Sequence, residues 1–321
     1  MKILLAGYNL DYELISELKE KSGLHADLTP ETISAAYARI SRSARPVNEL
    51  RGIARTEVEK ARQSNRNIVF EMGHSSVAEH AVFNIDIIGV SRLIVEEIEK
   101  FRLCSYTEKS QRYVLFDRDF VIPEEIIQAG LTGLFTGTVQ MQNEFYHRLY
   151  EQLRPYVFEQ NRELAENPGN KSMLEGWAKE DARYAIALAT ETQLGMTVNA
   201  RNLELMLRRL SALPLAEAHL LSNKLYTATK DIAPSLIRYT RSTDYDLLTR
   251  KNLREFCGKF DEGIKKPSIQ RVRLVQATEN ADTRSAAALL FASSGMNYDS
   301  CLRKAGLMKP AEVKALFRTL F

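Results

Sequence analysis

Apolar residues recur at three- and four-residue spacing through most of this chain, and only four short runs break the rhythm. That spacing builds amphipathic helices, whose apolar stripe must be buried against another element. Helices are expected at Asp11–Lys21, from Thr29 to Ile40, at Val47–Glu71, from Val90 to Phe101, and at Glu124–Glu159. Further helical patterns cover Gln160–Glu166, Leu174–Leu188, Ala200–Leu210 and Leu215–Ile232. In the second of these helices Thr29 suits the cap and Pro30 the first turn. Of the four exceptions, Lys2–Gly7, Ala81–Gly89 and Val272–Val275 read as strands and Ala189–Thr197 as strand-like or irregular, and Leu103–Tyr113 reads as a polar loop.

Composition narrows the class. With 321 residues, 45% of them hydrophobic, and a net charge of +3, the chain buries a sizeable core and is not a disordered polyelectrolyte. No apolar run approaches the roughly 20 residues that span a bilayer, and the Met1–Asn9 start lacks a signal-peptide pattern. Cys104, Cys257 and Cys301 stand far apart with no metal-ligand spacing, so a reducing cytoplasm is the expected setting. Neither nucleic acid nor a membrane is called for by so mild a charge.

After Tyr239 the texture changes. Residues 241–268 are charge-rich and carry Gly258, Gly263 and Pro267, which reads as a linker after a domain covering 1–240. In the remaining 269–321, Thr283-Arg284-Ser285-Ala286-Ala287 echoes Thr32-Ile33-Ser34-Ala35-Ala36. Two readings follow: a second copy of the domain that starts near Ile269 and is cut short, or an ordinary helical tail.

Two stretches carry chemistry. His74-Ser75-Ser76-Val77-Ala78-Glu79-His80 holds two histidines and a carboxylate, but not at the spacing of a helical zinc site, so no metal is expected. Ser75 or Ser76 is instead expected to cap a helix. The second stretch places Arg92, Lys100, Arg102, Lys109 and Arg112 among hydroxyl residues, the donor set that a phosphate or pyrophosphate needs. Neither a glycine-rich phosphate loop nor a nucleophile elbow is present. Cys104 lies in this basic segment, where cations lower a thiol pKa, although a small packing residue is the plainer reading.

Taken together, His74-Ser75-Ser76-x-x-Glu79-His80, Gly89-Val90-Ser91-Arg92, Arg102 with seven residues before Ser110, Arg112-Tyr113, Arg183 and Asn199-Ala200-Arg201-Asn202-Leu203 resemble the flavin-dependent thymidylate synthases. The resemblance reaches back to Ala38-Arg39-Ile40-Ser41 and covers about Thr29 to Tyr239. It implies an α+β fold, a mixed sheet packed with long helices, assembled as a homotetramer. It also implies FAD as cofactor, dUMP as substrate, and methylenetetrahydrofolate and NADPH as co-substrates in forming dTMP. Ser41, His74, Ser76, Lys100, Phe101, Arg102, Ser105, Glu108 and Asn199 fall on flavin-contacting columns. Glu97, Ser110, Arg112 and Arg183 fall on columns that hold the nucleotide, with the two arginines for its phosphate. The guanidinium groups are expected to converge on one pocket.

The departures bear on activity. Where the family signature has Arg-His-Arg, this chain reads Lys100-Phe101-Arg102, which loses a planar fork and an imidazole. The arginine that polarises the uracil ring in the family falls on Leu210, while Arg208 and Arg209 are expected to point about 100–200° away on the helix. Glu96, Glu97 and Glu99 place carboxylates where a dianion would approach. The alternative to an active synthase is therefore a catalytically degenerate, flavin- or nucleotide-binding or structural half of a duplicated enzyme.

Overall fold

The computed structural model describes residues 1–20, 29–40, 43, 45–110, 112, 114–115, 119–260 and 272–319, and it divides into two units, Met1–Lys259 and Phe260–Phe321. The first unit is built on four strands, β1 (Lys2–Tyr8), β2 (Val82–Ser91), β3 (Ser105–Glu108) and β4 (Glu191–Asn199), in the order β1-β2-β4-β3. Every pairing is antiparallel, so the α+β class holds but the sheet is not mixed. No helix of the described residues is long and apolar enough to cross a membrane.

Strand alternation decides which face is buried. Phe83, Ile85 and Ile87 of β2 and Leu194, Met196 and Val198 of β4 point to the core. The opposite face is polar, and there Asn84 donates to the Thr197 hydroxyl across the paired strands at 2.8 Å. Helices α1 (Tyr12–Glu20), α2 (Glu31–Arg39), α3 (Val47–Thr56) and α4 (Val58–Arg66) follow β1. The expected helix from Val47 to Glu71 is thus split: Glu57 (φ −127°) separates α3 from α4, and Asn67–Glu71 forms a π turn. Helices α2 to α4 share a small cluster of Ala35, Ala36, Leu50, Ala54 and Ala61.

Beyond β2 come α5 (Arg92–Ile98), α6 (Glu124–Gln128), α7 (Thr132–Gln160), α8 (Arg162–Ala165) and α9 (Lys171–Ala182). Helix α9 stops short of the expected Leu188, giving way to a 3-10 turn at Arg183–Ala185. Helices α10 (Ala200–Leu210) and α11 (Ala216–Thr229) lay Leu203, Met206, Leu207, Leu221 and Leu225 on the buried face of the sheet.

Two expectations for the later chain fail. Over its described part, the stretch read as linker holds α12 (Asp244–Gly258), started by a capping box in which Thr243 and Asp246 satisfy each other. The run Val272–Val275 forms no strand: no strand pairs with it, and Leu274 is 80% exposed. The second unit is instead helical, with α13 (Ala281–Ala292), α14 (Tyr298–Leu307) and α15 (Pro310–Arg318) around Ala286, Ala287, Cys301 and Ala305.

Candidate functional site

The site region starts where β2 turns into α5. The strand continues past Gly89, which sits at φ +73° with its Cα facing Met1, so a side chain there would meet the Met1 backbone at 3.3 Å. Val90 and Ser91 are therefore strand residues, not the start of the helix. Ser91 caps α5, its Oγ accepting from the Ile94 N–H at 3.3 Å. The carboxylate of Glu217 on α11 holds Ser91 in turn, accepting from its N–H at 2.8 Å and its hydroxyl at 2.6 Å.

With Ile94, Val95 and Ile98 buried, α5 turns its acidic residues outward. They are compensated within the chain. Glu96 pairs with Arg92 at 3.1 Å, and Glu97 pairs with Lys100 at 2.5 Å. Burial, and then the nearby Glu108, push the Glu99 carboxyl above its ordinary range. The expected repulsion of a dianion is thus largely spent on these pairings.

The segment read as a loop contains β3, recruited by β4: Ser105 lies opposite Thr197 and Glu108 opposite Leu194. Glu108 is bound by Arg92 and by the Thr192 hydroxyl at 2.9 Å. The Tyr106 hydroxyl donates to the carbonyls of Ile98 and Phe101, at 2.9 and 3.2 Å, and so fixes the turn that carries Lys100-Phe101-Arg102. Cys104 is half-buried, and desolvation pushes its thiol up rather than down, the reverse of the effect expected from the basic sequence around it.

At the end of β4, Asn199 caps α10, its Oδ1 accepting from the N–H and the side-chain amide of Asn202, both at 2.9 Å. Glu79 pairs with Arg201, which ties the 3-10 turn Ser75–His80 to the same helix. No serine side chain caps that turn, contrary to expectation. The His80 ring packs edge-on against Tyr37 at 4.6 Å. His74 and Ser76 are exposed nearby. Among the described residues no three His, Cys, Asp or Glu side chains gather as a metal-binding group.

The far end of α10 opens onto a cavity of about 910 Å³. Glu97, Lys100 and Phe101 line one side of it, Arg209 and Leu210 another, and Tyr245 and Arg254 of α12 a third. Leu210 is 1% exposed and belongs to the core, so the arginine of this region is Arg209. Its guanidinium stands 5.8 Å from the Phe101 ring centroid, a cation–π contact. Arg208 is drawn instead to Asp246 at 3.4 Å. Arg209 and Arg254 carry no salt bridge among the described residues.

The remaining expected residues lie elsewhere in the single chain. Arg102 is exposed and does not line the cavity. Ser110 Oγ accepts from the Arg112 N–H at 3.2 Å. The Arg112 carbonyl rests against Gly176 of α9, 3.6 Å from the place of a Cβ there, and Arg183 follows the end of the same helix, 3.5 Å from Glu180. Ser41 lies outside the described residues. Arg102, Arg112 and Arg183 thus do not line the cavity at Arg209. Sequence reasoning missed α12; its signal was Thr243 three residues before Asp246, a capping box.

Comparison with known proteins places this geometry in context. The family model described as "Thymidylate synthase complementing protein" matches residues 24–235. A flavin-dependent thymidylate synthase of Clostridium tetani is 31% identical over 216 residues, 66% of this chain and 82% of that protein. The UPF0159 protein Ta1429 of Thermoplasma acidophilum is 24% identical over 322 residues, 89% of this chain and 64% of that protein. Among solved structures, the UMP/dUMP methylase PolB of Streptomyces cacaoi, bound with 5-Br dUMP, shares the fold. The TM-score is 0.52 at 16% identity, covering 78% of this chain and 94% of that one.

Proposed function

This chain belongs to the thymidylate synthase complementing protein family, and from that premise we propose that it binds FAD and dUMP and methylates the uracil ring to dTMP, with methylenetetrahydrofolate as carbon donor and NADPH as reductant. The observation that carries the proposal is the cavity in which Glu97, Lys100 and Phe101, three of the motif positions, face Arg209. Its donor set suits the ligands: two aromatic rings, Phe101 and Tyr245, for a planar heterocycle, and the guanidiniums of Arg209 and Arg254 for anionic or carbonyl oxygens. Bound FAD supplies hydride transfer, and the protein's share is binding and orientation. Arg209 offers a planar fork to an oxygen that gains charge, held in place by the Phe101 ring. Lys100, neutralised by Glu97, serves less as a cation than as one half of a fixed dipole at the rim.

Arg112 and Arg183 stand at α9, away from this cavity, and so we infer that the nucleotide phosphate is held by another copy in a homotetramer. A cytoplasmic setting agrees with three free cysteines. The test is direct. The purified protein should show a flavin spectrum that responds to dUMP, should form dTMP when given both co-substrates, and should run as a tetramer in light scattering. Protein that binds neither FAD nor dUMP refutes the proposal.

A second reading has its own observation. Leu210, which by the resemblance falls on the column of the activating arginine, is buried in the core, and Phe101 falls by the same resemblance on the column of an imidazole. A catalytically degenerate flavin- or nucleotide-binding half is recognised in the same assay by binding without dTMP.

A further inference from the structure

The second unit repeats the helical layer that opens the first. Helices α3 and α14 are each ten residues long and begin 251 residues apart, at Val47 and Tyr298. The buried positions follow at the same spacing: Ala35 with Ala286, Ala36 with Ala287, Leu50 with Cys301 and Ala54 with Ala305. One inserted residue then sets Ala61 opposite Val313, and α4 opposite α15, each nine residues long. The first helices differ in length, nine residues in α2 against twelve in α13, but helix packing alone does not demand the same buried positions at one constant spacing; a shared layer does.

In the first unit this layer is covered. Glu31, with no exposed surface, accepts from the Ser235 N–H at 2.7 Å and its hydroxyl at 2.6 Å, while Arg62 Nε donates to the same carboxylate at 2.7 Å. The Thr29 hydroxyl donates to the Ile232 carbonyl at 2.9 Å, and Asn65 donates to Ser235 Oγ at 3.4 Å. Ala233 and Leu236 of the covering segment enter the main core. In the second unit the position of Glu31 is taken by Asp282, which is exposed. By the shifted spacing, Lys314 stands for Arg62 and Phe317 for Asn65. These residues, with Thr283 and Val313, line a groove of about 740 Å³.

We propose that this groove is a docking site for an extended serine-containing segment like Ile232-Ala233-Pro234-Ser235-Leu236, carried by a partner chain that does not bury it against a layer of its own. Asp282 receives the serine amide and hydroxyl, Lys314 balances its charge, and Phe317 replaces the asparagine amide with an apolar contact for the flanking residues. The occupant is identified by its counterpart within the same chain: the face that is closed in one layer by this segment is open in the other.

The test uses the full chain and a fluorescein-labelled synthetic peptide with the sequence of residues 229–240. Anisotropy should show saturable binding. Asp282→Ala in the protein, or alanine for the serine in the peptide, should weaken it by about 10- to 100-fold. Asp282 is exposed, so circular dichroism of the variant should be unchanged. Hydrogen exchange should show added protection in 281–318 when the peptide is bound. No binding at millimolar peptide, equal binding to Asp282→Ala, or protection confined to the first unit would each overturn the proposal.

Discussion

Replacing Glu31 by alanine isolates one buried carboxylate that joins α2, α4 and the segment after α11. Its donors are Arg62, the Ser235 amide and the Ser235 hydroxyl, all within 2.7 Å, with the Thr29 hydroxyl at 3.2 Å. Losing one partner of a buried pair costs about 3–5 kcal/mol, because the other charge stays desolvated. The orphaned amide and hydroxyl of Ser235 add to this, though not additively, so about 3 kcal/mol is the lower bound. At about 2–4 °C per kcal/mol for a domain of this size, thermal unfolding should shift down by at least about 6 °C. The control lies in the same chain: Asp282→Ala removes the matching carboxylate where it is exposed and should stay within about 0.5 kcal/mol. Arg62→Met should cost a comparable amount, since it leaves the fully buried Glu31 carboxylate without a counter-charge. Urea titrations of the three variants measure these differences. A loss below about 1 kcal/mol for Glu31→Ala, or equal losses at Glu31 and Asp282, would refute the reasoning.

Other outcomes follow from the same physics. Arg209→Ala should weaken dUMP binding by about 10- to 100-fold, read by flavin-spectrum titration, whereas Leu210→Arg should unfold the core rather than restore activity, read as a loss of thermal stability. Iodoacetamide at neutral pH should label exposed Cys257 first; Cys104, whose thiol burial pushes up, and buried Cys301 should lag, as peptide mass spectrometry would show. The N–H and hydroxyl of Thr243, then Arg208 and Arg209, hold the Asp246 carboxyl below its usual range. A depressed folded-state pKa gives stability that is present above the unfolded value near 3.9 and is lost as pH falls through the folded one. Asp246→Asn should therefore flatten the acid limb of the stability curve below about pH 4.

The parts of the site that were legible are those whose cause is local. The helix Ala200–Leu210 was legible with its observed bounds, because its apolar spacing is local and Asn199 satisfies backbone groups within its own first turn. Only the start of α5 was misplaced, because the bulge at Gly89 depends on the Met1 backbone lying across it. Strand β3 was illegible for a related reason: four residues have no pattern of their own, and their hydrogen bonds come from β4, more than eighty residues away. The partners of Glu108 were hidden likewise, since it finds Arg92 and Thr192 only once the sheet is formed.

The amino-acid order alone thus settled the family kinship, the helical rhythm and the weak echo between the two ends of the chain, all of which depend on neighbouring residues or on aligned motifs. Tertiary structure decided where the charges go. It buried Leu210, turned Arg209 over Phe101, and placed α12 at the cavity wall, because side-chain direction at a helix end is set by whatever packs against it. It also closed the α2–α4 layer with Ser235, a contact set by what that layer packs against rather than by its own sequence.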